Sequence, residues 1–169
     1  DYDSELENTT DFTGEIYFST TDVTAPRFSL PVQGTVTDFQ VIDNDAAGFS
    51  VLSGSDFQLR SRDTQYYGDD VHFAPAGQGS NVVQWEFSGL TNGVTYLISA
   101  TWAGGENRAT NAPYRIIGST TINVPVNQQL APNGTGGGSI WQLLAPITAQ
   151  NGKVRVQLSD NANGWVAAD

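Results

Sequence analysis

The sequence predicts an all-β protein built as a sandwich. Polar and apolar residues alternate with period 2 through most of the chain, and apolar spacing of i, i+3, i+4 is not sustained over any window of about 11 residues. Turn signals separate the alternating runs at roughly ten-residue spacing, with Asn-Gly at Asn92, Asn133, Asn151 and Asn163 and a Gly136-Gly137-Gly138 run in a loop that begins at Pro132. Short strands punctuated in this way pack as two-layer sandwiches. The 169 residues are 38% hydrophobic, 11% aromatic and only 15% charged, enough apolar side chain for one core and too much for disorder.

The first 38 residues stand apart from the rest. Asp1, Asp3, Glu5, Glu7, Asp11 and Glu15 all precede the first cation, Arg27, and form an acidic leader. Two strands are expected next: Glu15 to Thr20, with Ile16 and Phe18 on one face, and Arg27 to Thr37, with Phe28, Leu30 and Val32 on one face. Thr21 to Pro26 is the turn between them. A lone hairpin is marginal in water, so its apolar face is expected to pack on the remaining chain, on another domain or on another subunit. Residues 1–38 are therefore read as an extension and residues 39–169 as the sandwich domain.

Within that domain, Asn81 to Ser88 alternates with Val83, Trp85 and Phe87 inward. Gly93 to Trp102 turns Tyr96, Ile98, Ala100 and Trp102 to one side. The Thr91-Asn92-Gly93 turn between these runs predicts a hairpin. Thr121 to Asn127 places Ile122, Val124 and Val126 inward. In Lys153 to Ser159, Val154, Val156 and Leu158 share the core face while Lys153, Arg155 and Gln157 take the other.

Charge and composition exclude several functions. Eighteen acidic against seven basic residues give a net charge of -11, the wrong sign for nucleic acid or an anionic membrane surface. Cysteine and methionine are absent, which removes disulfides, thiolate metal sites and thiol nucleophiles. The one histidine, His72, alternates with Val71 and Phe73 as a structural strand residue and has no cysteine to pair with. The chain is read as non-catalytic. It contains no 18-residue apolar run. Acidity, lack of cysteine and abundant Thr, Asn and Gly suit an extracellular or cell-surface protein, and a start at Asp1 without methionine reads as a processed or excised chain.

Two kinds of site have candidates. Calcium takes hard oxygen ligands from carboxylates and loop carbonyls, and Asp43, Asp45, Asp69, Asp70 and Asp160 lie in turn-like sequence, so a structural Ca2+ is one reading. The same Asx residues serve equally as turn formers that bond their own backbone. Sugar sites present aromatic faces to pyranose rings, and the loop aromatics Tyr66, Tyr67 and Trp141 are candidates for that role or for packing.

Several stretches together carry a family resemblance. They are Val41 to Ser50, Tyr67 to Asp70 with Ala74 to Gly77, Trp85 to Leu90, Thr101-Trp102 with Asn107 to Tyr114, Val126 to Gln129, and Leu158 to Asp169. In that order, residues 41–169 resemble the golvesin/xanthan-lyase-type carbohydrate-binding-like domain of large bacterial surface and secreted proteins. The resemblance implies a jelly-roll-like β-sandwich without catalysis, in which sugar binding is the family expectation. It implies that Arg108 and Asn111 organise their loop or contact a ligand, and that the family continues beyond Asp169 into a further apolar strand. Thr13 to Val36 resembles the closing hairpin of an immunoglobulin-like bacterial surface repeat.

Two functional readings follow. In the first, the chain is an extracellular structural subunit, a homo-oligomer or filament held by β-strand complementation, with Ile16, Phe18, Phe28, Leu30 and Val32 as assembly residues. In the second, it is a carbohydrate-binding or adhesion module of a longer polypeptide, with a neutral glycan as partner because the acidic chain repels acidic ones.

Overall fold

The computed structural model describes residues 10–18, 28–36, 39–61, 67–68, 70–134 and 140–169, with 10–18, 28–36 and 61 as backbone. Contacts divide the chain into two compact units, Asp1–Val41 and Ile42–Asp169. In the first, β1 (Thr10–Phe18) and β2 (Phe28–Val36) form an antiparallel hairpin whose register runs from Thr10 opposite Val36 to Phe18 opposite Phe28. β1 starts at Thr10 rather than at the expected Glu15, so part of the acidic leader is strand. Ile16 stands opposite Leu30 and Gly14 opposite Val32. Alternation along the strands therefore puts Ile16, Phe18, Phe28, Leu30 and Val32 at positions on one face. The expected turn at 21–26 lies outside the described residues.

Among its described residues the second unit holds ten strands: β3 (Phe49–Ser53), β4 (Gln58–Ser61), β5 (Asp70–Ala74), β6 (Val82–Ser88), β7 (Thr95–Ala100), β8 (Ala112–Ile117), β9 (Thr121–Val126), β10 (Gln142–Thr148), β11 (Lys153–Ser159) and β12 (Val166–Ala168). One layer is the five-stranded sheet β3-β6-β11-β8-β9, and β12-β5-β4 and β10-β7 supply the other. All named pairings are antiparallel. β11 is the middle strand, and its Val154, Val156 and Leu158 are buried against Val83, Trp85, Tyr114 and Ile116 of its neighbours and Val71, Phe73, Ile98 and Ile147 of the facing layer. The alternation of the sequence thus describes both inner faces.

The Thr91-Asn92-Gly93 turn does not close the expected hairpin. β6 pairs with β3 and β11, whereas β7 pairs with β10, so the turn carries the chain from one layer to the other. Its hydrogen bonds explain this: Asn151 N donates to Asn92 Oδ1 at 2.7 Å and Gly93 N donates to Ala149 O at 3.0 Å. It is thereby tied to the second crossing turn, where Asn151 and Gly152 both adopt positive φ (55° and 69°), the geometry Asn-Gly favours. Crossing layers lets Val83 and Trp85 face Ile98 and Ala100 across the core rather than beside them.

Two buried polar groups fix the loops. Asp160 accepts hydrogen bonds from Gly79 N (2.8 Å), Asn81 N (3.3 Å) and Asn81 Nδ2 (2.6 Å), while Asn81 Oδ1 accepts from Ser55 N (3.0 Å) and Asp56 N (3.2 Å). Gln128 donates to Tyr114 Oη (3.2 Å) and Ala167 O (2.8 Å) and accepts from Ala167 N (2.9 Å), which anchors the short strand β12. Burial pushes the Tyr114 hydroxyl pKa up, so it stays neutral and serves as that acceptor.

Candidate functional site

β5 and β12 run antiparallel with Val166 opposite Ala74 and Ala168 opposite His72. Residues before β5 and after β12 therefore meet at one end of the sandwich, and residues after β5 and before β12 at the other. Each end carries part of the candidate chemistry.

At the first end, Tyr67 N donates to Asp169 Oδ2 at 3.2 Å, and the Tyr67 ring lies 5.3 Å from Trp141, tilted by 55°. Asp43 packs its carboxylate against Gly68, where a Cβ would collide with it and where φ is +72°. Asn44, 1% exposed, donates through Nδ2 to Asp70 Oδ1, and the same atom lies 3.2 Å from His72 Nδ1. Asp169 is 9% exposed, and burial raises its pKa to about 7 against the Tyr67 N–H bond, with the Asp43 and Asp70 charges adding to the rise. Burial also lowers the His72 pKa, against the opposing pull of Asp70. Two oxygens here, Asn44 Oδ1 and Asp169 Oδ1, are buried without a hydrogen-bond partner among the described residues.

At the second end, an indole is offered to solvent. Trp165 is 41% exposed, yet its backbone is fixed on both sides: Trp165 N donates to Asn107 O at 3.0 Å and Ala109 N donates to Trp165 O at 2.8 Å. Amides brace the adjoining loops. Asn163 Oδ1 accepts from Thr110 N (2.9 Å), Asn163 Nδ2 donates to Thr110 Oγ1 (2.7 Å) and Asn163 N donates to Asn111 Oδ1 (2.9 Å). Gln129 Nε2 donates to Glu106 O (3.0 Å) and Arg108 O (3.1 Å). The Arg108 guanidinium lies 4.1 Å over the Phe73 ring and donates to Asn107 Oδ1 at 2.8 Å. Gly164 lies so close to the Arg108 backbone that a Cβ would collide there.

The structure thus sorts the sequence candidates into two groups. Tyr67 and Trp141 meet at the first end, and Arg108 and Asn111 belong to the second. Tyr66 and Asp69 lie outside the described residues. Asp43 and Asp70 reach the first end, Asp45 is exposed on its loop, and both oxygens of Asp160 are engaged by protein donors in the loop hub. Among the described residues no three of Asp, Glu, His and Cys group with the spacing of a metal site. Sequence reasoning placed Asn44 only within the Asp43-Asn44-Asp45 turn and singled out neither Trp165 nor Asp169. The signal for Trp165 was an aromatic directly after the Asn163-Gly164 turn, the same signal used for the loop tyrosines.

Among solved structures the chain is similar to a Paenibacillus xanthan lyase, with 28% identity and a TM-score of 0.64 over 89% of this chain. It spans only 14% of that enzyme. The CBM35 module from Cellvibrio japonicus shares the fold, with 22% identity and a TM-score of 0.51 over 75% of this chain and 84% of that one. No curated protein matches. The Golvesin C-terminal domain family matches residues 40–169. The chain belongs to the Golvesin C-terminal domain family.

Proposed function

We propose that this protein is a non-catalytic carbohydrate-binding module, acting outside the cell or on its surface, that holds a neutral glycan against the Trp165 loop platform. The observation that carries this reading is the exposed indole on a backbone fixed at both N and O, flanked by loops braced by Asn and Gln amides. An aromatic face stacks on the apolar face of a pyranose ring, and planar amides suit its hydroxyls. A pre-bonded platform loses little entropy on binding. The fold shared with a CBM35 module supports the same reading, and the small share of the xanthan lyase that the chain spans suits an accessory domain. Strand complementation between copies draws no support from these comparisons.

A structural Ca2+ belongs to the proposal at the first end. Asn44 Oδ1 and Asp169 Oδ1, the two unpartnered buried oxygens, would be its ligands from this chain, since the described carboxylates do not close into a three-acid cage. Bound there, it would offset the charge that Asp43 and Asp70 place on Asp169.

The test is a neutral glycan array followed by titration calorimetry on the best ligand. Trp165→Ala is expected to weaken binding by about tenfold or more, whereas the paired variant Tyr67→Ala/Trp141→Ala leaves it within about threefold. Binding that survives Trp165→Ala unchanged, or the absence of any neutral ligand, overturns the reading.

A further inference from the structure

The outer face of the five-stranded sheet carries a continuous polar row. Register sets Ser50 opposite Gln84, Gln84 opposite Gln157, Gln157 opposite Arg115 and Arg115 opposite Asn123, one residue from each of β3, β6, β11, β8 and β9. At a strand spacing of about 4.8 Å the row extends over roughly 19 Å. Gln157 Nε2 donates to Gln84 Oε1 at 2.9 Å and Arg115 Nη1 donates to Gln157 Oε1 at 3.3 Å, so these side chains are held in line.

The neighbouring positions hold charge. Glu86 stands opposite Arg155, and Lys153 follows on the same face of β11. Arg155 Nε donates to Glu86 Oε2 at 2.7 Å and Lys153 Nζ pairs with Glu86 Oε1, while both cations remain 42% exposed. A shallow depression of ≈ 90 Å³ beside them is lined by Ile117, Gly118, Gln150, Asn151, Lys153 and Arg155. Of the seven Lys and Arg residues in a chain of net charge -11, three lie here. Arg115, Lys153 and Arg155 against the single Glu86 leave the face at +2, reversed from the molecule as a whole.

We infer that this sheet face is a second ligand site, which takes a carboxylate-bearing polysaccharide of the uronic acid type. The row lacks the aromatic anchors that protein interfaces concentrate at their centres. It offers aligned amide and guanidinium groups that suit a hydroxyl-rich polymer. A polynucleotide would need aromatic faces on which its bases stack, which this row lacks, whereas a uronate brings hydroxyls for the amides and a carboxylate for Arg155 and Lys153 to share with Glu86. The inference rests on the glycan-binding reading of the fold but uses residues separate from the Trp165 platform.

The experiment is titration of the whole chain with oligogalacturonate and with the same oligomer fully methyl-esterified. The acid form is expected to bind and the ester to bind at least about tenfold more weakly. Lys153→Ala/Arg155→Ala should lose about tenfold. Glu86→Gln should gain several-fold, a direction that a purely structural ion pair does not produce, and its melting temperature verifies folding. Trp165→Ala should leave oligogalacturonate binding unchanged. Equal binding of acid and ester, no binding of the acid, or no gain in Glu86→Gln overturns the inference. Neutral-glycan binding at Trp165 would survive each of these results, so the two proposals fail separately.

Discussion

Asp160 shows how one side chain organises three loops. Its two oxygens satisfy Gly79 N, Asn81 N and Asn81 Nδ2 in the interior, and Asn81 passes the restraint on to Ser55 and Asp56. Removing the acceptor leaves buried donors unpaired, so Asp160→Ala is expected to destabilise the domain by roughly 3–5 kcal/mol, and Asp160→Asn by less because one oxygen remains. Chemical denaturation checks both values. Gly77 is a second such position, since a Cβ there would collide with the Asp160 carboxylate. Gly77→Ala should cost about 1–3 kcal/mol through the forced displacement of that carboxylate.

At the scale of the element, β11 carries both faces of the argument. Leu158 is fully buried near its C-terminal end, and Leu158→Ala should cost about 2–5 kcal/mol with a depression of the melting temperature. On the outer face, hydrogen bonds from Lys153 and then Arg155 hold the Glu86 carboxyl below its ordinary pKa. A carboxyl whose pKa is depressed in the folded state binds fewer protons there than in the unfolded chain. Its stabilising effect is present above the ordinary carboxylate value near 4.5 and is lost as pH falls through the folded value. The melting-temperature difference between wild type and Glu86→Gln is therefore expected to shrink on acidification from neutral pH. A constant difference would contradict the ion pair. The effect is small because the pair is exposed.

For the whole molecule, the first end of the sandwich makes the cation prediction. Millimolar calcium should raise the melting temperature and a chelator should reverse the rise, because a ligand that binds only the folded chain stabilises it by mass action. Asp169→Asn should abolish the response while leaving neutral-glycan binding at Trp165 in place. A melting temperature indifferent to calcium removes the metal from the proposal.

Local pattern alone determined the all-β class and the inward faces of the alternating strands, because side-chain direction in a strand depends only on position along it; β3, β4, β8, β10 and β12, which are short or lack clean alternation, emerged only in the structure. Val154, Val156 and Leu158 follow this rule, as do Val83 and Trp85. The motifs carried the family as well. Pairing was decided elsewhere: Asn92-Gly93 has hairpin chemistry, yet its bonds to Ala149 and Asn151 make it a crossing between layers. Those partners lie more than fifty residues away, beyond the reach of any local signal. The same holds for the sites. Tyr67 and Arg108 were both legible as candidates, but only the pairing of β5 with β12 sends them to opposite ends and exposes Trp165 beside Arg108. Sequence fixes which way a side chain points from its own backbone; long-range packing selects which other side chains it meets.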